Sequence, residues 1–188
     1  TLATEGSFNR ISVDGDTSTN DTVMLLANKQ SAHYDKEAFA GALNKIMFEL
    51  AMLILKDEEG ANKLVAFEVK GAKSEEEAKK ASMALSNSLL VKTALFGEDP
   101  NWGRIASTIG ASGIACDDET LTIHYDDLLI YSSEFRELDK VREDKAYKIM
   151  KQEHFKVTCD IGLGDASYTS YGCDLSYEYV KINAEYRT

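Results

Sequence analysis

The chain reads as an α/β domain, an α+β layered sandwich, on three observations. Segments of strand and helix character alternate from end to end. The stretch LVAFEVKG (64–71) is apolar on both faces, as in a central strand covered on both sides. The 188 residues are 44% hydrophobic and 28% charged, enough for a sizeable core. The Gly-rich phosphate fingerprint of a dinucleotide fold is missing.

Taken in order, FNRISVDG (8–15) and TVMLLAN (22–28) read as short β-segments beside the polar stretch SVDGDTSTND (12–21). The span 34–60 reads as a long helix, because Phe39, Leu43, Met47, Leu50 and Ile54 recur at three- or four-residue steps. Gly60 stands where a C-cap would be. The strand 64–71 follows. Ser74 with Glu77 forms a capping-box pattern for a helix over 74–88. LVKTALF (90–96) is another apolar run, and IASTIGASG (105–113) suits a short helix ended by glycine. Residues 120–135 suggest a hairpin around Asp126–Asp127, and 136–153 a charged helix with a narrow apolar stripe. From His154 onward, strands separated by glycines close the chain. Val180 and Ile182 alternate with Tyr179 and Lys181, so YVKINAEY reads as the last of them. With one proline and no Gly/Ser-rich linker, residues 1–188 form a single unit, which subdivides into lobes of about 1–115 and 116–188.

Net charge is −11, which argues against nucleic acid and against an anionic membrane surface, since both require a basic patch. It permits a cationic substrate. The cysteines Cys116, Cys159 and Cys173 are odd in number and far apart. They suggest neither a disulfide framework nor a metal site, but buried reduced thiols of a cytoplasmic protein. No window resembles a signal peptide, and the apolar run MFELAMLIL (47–55) contains Glu49 and is too short to cross a bilayer. His33, His124 and His154 are isolated and read as structural or surface residues. No cofactor and no metal is expected.

Three motifs carry chemical possibilities. GEDPNWGR (97–104) holds the chain's proline and tryptophan. It reads equally as a site-lining loop, with Asn101 or Arg104 holding a carboxylate, and as a rigid turn anchored by Trp102. The acids of DEEGANK (57–63) lie near a helix C-terminus and oppose its dipole, a weak pointer to function against the plainer reading of a solvated helix end. SVDGDTSTND suits a network of side-chain to backbone hydrogen bonds that supports a site rather than forming it.

The strings SFNRISVDGDTSTNDTV, LVKTALFGEDPNWGRIA and YGCDLSYEYVKINAEYRT resemble the ornithine acetyltransferase family, the glutamate N-acetyltransferases of arginine biosynthesis. The resemblance covers nearly the whole chain and implies the β chain of a self-cleaving precursor. It also implies a layered fold similar to N-terminal-nucleophile hydrolases, and an α-chain partner in an α2β2 heterotetramer. The implied chemistry is acyl transfer. A free N-terminal threonine attacks the acetyl carbonyl of N-acetylornithine through its hydroxyl. Its α-amine, of ordinary pKa about 8, takes the proton. Ornithine leaves, and glutamate accepts the acetyl group from the threonyl acetyl-enzyme. Acetyl-CoA as a second donor would add amino-acid N-acetyltransferase activity. The oxyanion hole, commonly the largest electrostatic contribution in acyl transfer, would lie on the α chain.

Residue by residue, the resemblance implies substrate contacts at Glu59, Asn183 and Thr188. It implies Thr1 as nucleophile where the chain start is the processed terminus. The residues also permit another reading. The family places an apolar strand and a helix between the nucleophile and SFNR, whereas here only Leu2 to Gly6 intervene. TLATEG suits the last turn of that helix, with a segment of about 20 residues absent, judged from the length of a strand plus a helix. Two alternatives stand beside the acetyltransferase subunit. One is a same-fold acetyltransferase or amidohydrolase with another substrate. The other is a truncated, catalytically incomplete module that binds the α chain.

Overall fold

The computed structural model describes residues 2–57 and 60–185. The elements are α1 (Leu2–Glu5), a 3-10 turn (Phe8–Arg10), β1 (Ile11–Ser12), α2 (Lys36–Lys56), β2 (Leu64–Ala72), α3 (Glu75–Asn87), α4 (Leu89–Phe96) and α5 (Trp102–Ala111). They continue with β3 (Thr122–Tyr125), β4 (Leu128–Tyr131), α6 (Lys140–Met150), β5 (His154–Asp160), β6 (Ala166–Cys173) and α7 (Tyr177–Glu185). The strands form one mixed sheet in the order β1-β6-β2-β5-β3-β4. β2 is central, antiparallel to β6 and parallel to β5. The sheet joins strands from both sides of residue 115.

Register decides which face is covered. Val65, Phe67 and Val69 stand opposite Phe155, Val157 and Cys159 of β5, and Ile123 and Tyr125 of β3 continue the row. All of these are buried and form the core with Ala78, Ala81 and Leu85 of α3 and Ile105 and Ile109 of α5. A buried hydroxyl brace ties α3 to the sheet. Ser82 Oγ donates to the Phe67 carbonyl at 2.7 Å and accepts from Ser170 N at 2.8 Å, while Ser170 Oγ donates to the Ser82 carbonyl at 2.9 Å. Both hydroxyls are thereby satisfied away from water.

The opposite face is polar and partly open. Glu68 stands there beside Thr158, and Lys156 Nζ and Thr158 Oγ1 each donate to Glu68 Oε2 at 3.0 Å. Burial pushes the Glu68 carboxyl up, but the hydrogen bonds from Lys156 and Thr158 outweigh it and hold the group below the ordinary carboxylate value. β2 is therefore central as expected, but it is fully covered on one face only, its Leu64, Ala66 and Glu68 being half-buried.

Other expectations need correction. TVMLLAN forms no strand: residues 21–31 have no regular structure, and Val23, Met24, Leu25 and Leu26 are exposed. Apolar alternation makes a strand only where a neighbouring strand takes its hydrogen bonds, and among the described residues none pairs with it. Of YVKINAEY, the described residues 179–185 do not continue the sheet. They belong to helix α7, where Asn183 Nδ2 donates to the Tyr179 carbonyl one turn back at 2.9 Å. Two alternating apolar residues are too short a pattern to separate the two periods. LVKTALF is helix α4.

The long helix is present, but its packed side is only partly the expected stripe: Leu43 and Met47 are half-buried. Ala51 and Leu55 are its buried residues, and Phe48 meets the Tyr171 ring edge-on at 5.4 Å. Phe39, Leu50 and Ile54 of the expected stripe are 43%, 47% and 52% exposed. α2 is apolar nearly all round, so periodicity could not say which side packs. Its length and composition also suffice to cross a membrane, a test that core helices of soluble proteins pass too. The Lys45–Glu49 ion pair at its middle would be costly in hydrocarbon.

Candidate functional site

β6 ends at Cys173, and the next residue, Asp174, is 3% exposed. Its Oδ1 accepts the backbone N–H groups of Asn62 at 2.7 Å and Lys63 at 2.9 Å, and its Oδ2 accepts the Asn62 side-chain amide at 3.0 Å. A carboxylate among backbone donors makes strong, charge-assisted hydrogen bonds. They pin the turn between α2 and β2 onto the end of β6. Beside it, Lys63 is 8% exposed and its Nζ lies 3.3 Å from Glu98 Oε1. Lys92, 1% exposed, donates from Nζ to the Cys173 carbonyl and lies 3.4 Å from Cys173 Sγ. Each buried cation thus has a partner, as desolvation demands.

Gly60 closes the arrangement. Its φ is +84°, and a Cβ there would stand 2.8 Å from Tyr179 N and 3.0 Å from Ser176 Oγ. Only glycine permits that approach of backbone to backbone. Gly60 therefore rests on the first turn of α7, and Asn183 lies one helical turn, about 5.4 Å, beyond Tyr179. Tyr179 OH donates to Asp14 Oδ2 at 2.8 Å, which ties the polar stretch to the same helix. Asp14, Ser18 and Asn20 hold local turns within that stretch, and Ser12 Oγ donates to Asn87 Oδ1. It acts as a brace.

On the other side of the 61–64 turn is a cleft of about 500 Å³, lined by Leu55, Lys56, Ala61, Asn62, Lys63, Leu64, Lys151, Glu153 and His154. Its charged lining is mixed, with Lys56, Lys63 and Lys151 beside Glu153. Asn183 is not among its lining residues; it is exposed on α7, with its amide donor engaged by Tyr179 O. Thr1, Glu59 and Thr188 lie outside the described residues. Their immediate neighbours show that Leu2 begins a helical turn and that Gly60 meets α7.

GEDPNWGR is a braced turn, as the rigid-turn reading expects. Asn101 caps α5, its Oδ1 accepting from Arg104 N at 3.3 Å. Arg104 Nη1 donates to the Leu90 carbonyl at 2.9 Å, and Trp102 stacks on Tyr131 at 4.4 Å. Asn101 Nδ2 also donates to Asp99 Oδ2 at 3.1 Å. Of the expected buried thiols, Cys159 and Cys173 are buried and Cys116 is exposed. Among the described residues, no group of three or more His, Cys, Asp or Glu could hold a metal ion. Sequence reasoning missed Asp174, Lys92 and Lys63. A lone aspartate between Cys173 and Leu175, directly after a strand, was the available signal.

The ArgJ family matches this chain over residues 1–188. An arginine biosynthesis bifunctional protein ArgJ of Wolinella succinogenes is 61% identical over 99% of the chain and 47% of its own length. A glutamate N-acetyltransferase of Methanocaldococcus jannaschii is 49% identical over 97% of the chain and 48% of its own length. The chain thus spans about half the length of the curated relatives it matches. The crystal structure of an arginine biosynthesis bifunctional protein from Bacillus halodurans superposes with a TM-score of 0.87 and 37% identity, over 98% of this chain and 90% of that one.

Proposed function

This chain belongs to the ArgJ family, and from that premise we propose that it is one chain of a two-chain acetyltransferase. The enzyme moves an acetyl group from N-acetylornithine to glutamate in arginine biosynthesis, through a threonyl acetyl-enzyme. The observation that carries the reading is the match of nearly the full chain to proteins that bear the name glutamate N-acetyltransferase. The solved relative supports the two-chain arrangement: its chain is covered to 90%, whereas the curated relatives are covered to about half.

The geometry supports the site. Gly60 on the first turn of α7 draws the neighbour of Glu59 toward the helix that carries Asn183. Glu59 would meet the cationic amine of the ornithine moiety, as its charge suits. Asn183 and Thr188 would hold the polar atoms of the acetylated amino acid. The attacking hydroxyl loses its proton to an adjacent base and gains the acetyl group. Ornithine leaves with a proton on its nitrogen, and the glutamate amine then reverses the sequence. The helical turn Leu2–Glu5 favours the reading in which Thr1 is not that nucleophile, with the acetyl-accepting threonine elsewhere in the precursor. The partner is the other chain of the precursor, in an α2β2 assembly that supplies the oxyanion hole and covers α2. The enzyme is cytoplasmic, and acetyl-CoA is a candidate second donor.

In the complete enzyme, Glu59→Gln is expected to raise KM for N-acetylornithine much more than KM for glutamate. Equal effects on both substrates would refute the assignment. Peptide mapping after incubation with N-acetylornithine locates the acetyl group. Acetate release without any acetylated threonine would favour a hydrolase.

A further inference from the structure

We propose that residues 22–28 become a strand in the assembled enzyme, hydrogen-bonded to an open β-strand of the other chain of the precursor. The inference deepens the functional reading above and rests on it only for the second chain.

TVMLLAN has the make-up of a buried strand and none of the surroundings. Thr22, Met24 and Leu26 alternate with Val23, Leu25 and Ala27, so both faces are largely apolar, as in a strand covered on both sides. Asp21 and Lys29 bound the run, and nothing between them is charged. Its length is ordinary for a strand. Lys29 has φ +57°, a left-handed turn conformation, so an extended run ends there. Yet Val23, Met24, Leu25 and Leu26 are 59%, 73%, 61% and 88% exposed. Among the described residues, no hydrogen bond reaches the backbone N–H groups of residues 23–27. An uncharged apolar run with unpaired backbone is a template for another strand, and left open it is an aggregation hazard.

Three observations point to a second chain as the neighbour. The nearest pairing within this chain is a hairpin back onto β1, the two-residue edge strand that leads into the polar stretch. That hairpin is not formed: among the described residues β1 pairs with β6. The chain spans about half the length of its curated relatives, and the other half is ample to supply a strand. Lastly, the side chains of an incoming strand have a place to go. Leu25, Leu26, Tyr34 and Phe39 line an open groove of about 1060 Å³ between the segment and the start of α2. Through Phe39 the groove runs into the exposed apolar face of α2. In strand addition, main-chain hydrogen bonds supply affinity and such grooves take alternate side chains. A helix laid in the groove would leave the backbone of 23–27 unpaired, so the partner surface is an extended edge with apolar side chains.

The test uses the complete two-chain enzyme. Hydrogen exchange followed by mass spectrometry reads the backbone. Peptides covering 22–28 should exchange at least about a hundredfold more slowly than an unstructured peptide, as paired strands do. Exchange at the unstructured rate would overturn the inference. Benzoylphenylalanine in place of Met24 then names the neighbour. Photo-cross-links to a peptide of the other chain are expected. Cross-links confined to this chain, whether to its own β1 or to a second copy, would refute the proposal, and so would their absence.

Leu25→Pro and Leu25→Ala separate backbone pairing from side-chain burial. Both lose most of the leucine, but proline also removes the N–H and leaves a carbonyl unpaired. Leu25→Pro should therefore weaken association of the two chains about tenfold or more beyond Leu25→Ala. Equal effects would mean that the side chain is buried without a strand being formed. Should the proline variant not fold, exchange in the parent and the cross-link from position 24 decide without it. A complete enzyme that moves no acetyl group from N-acetylornithine to glutamate would sink the functional reading and leave these readouts standing. A working transferase in which 22–28 exchange freely would keep its function and lose the strand.

Discussion

Helices α2 and α3 invert the usual relation between composition and burial. α3 has 13 residues, opens with three glutamates, and buries Ala78, Ala81, Ser82, Leu85 and Ser86. α2 has 21 residues, is far more apolar, and buries Ala51 and Leu55. The difference lies in what each meets. α3 lies along β2 and β6, and small residues let it come close enough for the Ser82–Ser170 brace. α2 touches the sheet near Tyr171 and leaves Ile46, Leu50, Leu53 and Ile54 exposed. A row of large apolar residues on one helix is more than scattered surface leucines require, and such patches mark interaction surfaces. The covered face of the sheet is buried within this chain, whereas the exposed face of α2 is the surface that the partner proposed above would cover.

The largest expected effect separates the two regions directly. Phe67 is fully buried at the centre of the sheet. Phe67→Ala should destabilise the complete enzyme by about 3–5 kcal/mol, from lost transfer energy and the cavity left behind. Thermal unfolding followed by circular dichroism measures it. A loss under 1 kcal/mol would mean that the core can collapse around the gap and that β2 is not its keystone.

The second effect belongs to α2. Leu50→Ser with Ile54→Ser should leave the far-ultraviolet circular dichroism unchanged and weaken assembly with the partner chain by about 2–4 kcal/mol, judged from the apolar area of two leucine-sized side chains. Sedimentation across a dilution series reads the dissociation. If the assembly is as tight as the parent's, the exposed face of α2 is not where the partner sits.

What was legible follows the same division. The central strand, the N-cap at Ser74, the hairpin at Asp126–Asp127 and, within the expected 136–153, the helix Lys140–Met150 rest on local rules and are found, although Glu77 Oε2 takes no hydrogen bond and the capping box is not closed. Side-chain placement on α2 was not legible, because a helix apolar all round gives no phase. TVMLLAN failed for the related reason that a strand needs a neighbour. The C-terminal segment failed because the choice between helix and strand there depends on Gly60 and Ser176 packing against it, a contact between residues far apart in sequence. Of the proposed site, motif resemblance supplied Glu59, Asn183, Thr188 and, conditionally, Thr1. Asp174 became visible only when the chain's two distant turns met.

The third prediction probes the polar face. Glu68 has its folded pKa lowered, its hydrogen bonds from Lys156 and Thr158 outweighing burial. A depressed carboxylate contributes stability that is fully present above its unfolded value, about 4.3, and is lost as pH falls through the folded value. Glu68→Gln should therefore lower the melting temperature at neutral pH and flatten its decline between about pH 5 and pH 2. Parallel melting curves over that range check it. Identical slopes for parent and variant would show that the Lys156 pair contributes nothing, as exposed pairs often do.

The smallest effect is chemical and again contrasts the two kinds of surroundings. Cys159 stands in the covered face of β5, and burial pushes its thiol up to about 12. At pH 8 such a thiol is about one part in ten thousand thiolate, whereas an ordinary one near 8.5 is about a quarter ionised. Thiolate is the reactive form, and access compounds the difference. Cys116 is exposed, in the segment after α5. Brief treatment with iodoacetamide followed by peptide mapping should label Cys116 within minutes and leave Cys159 and Cys173 unmodified while the protein is folded. In 6 M guanidinium the three should react alike. Labelling of Cys159 at a rate near that of Cys116 in buffer would mean that the covered face opens on the timescale of the reaction, and the contrast between a covered sheet face and an exposed helix face would no longer hold.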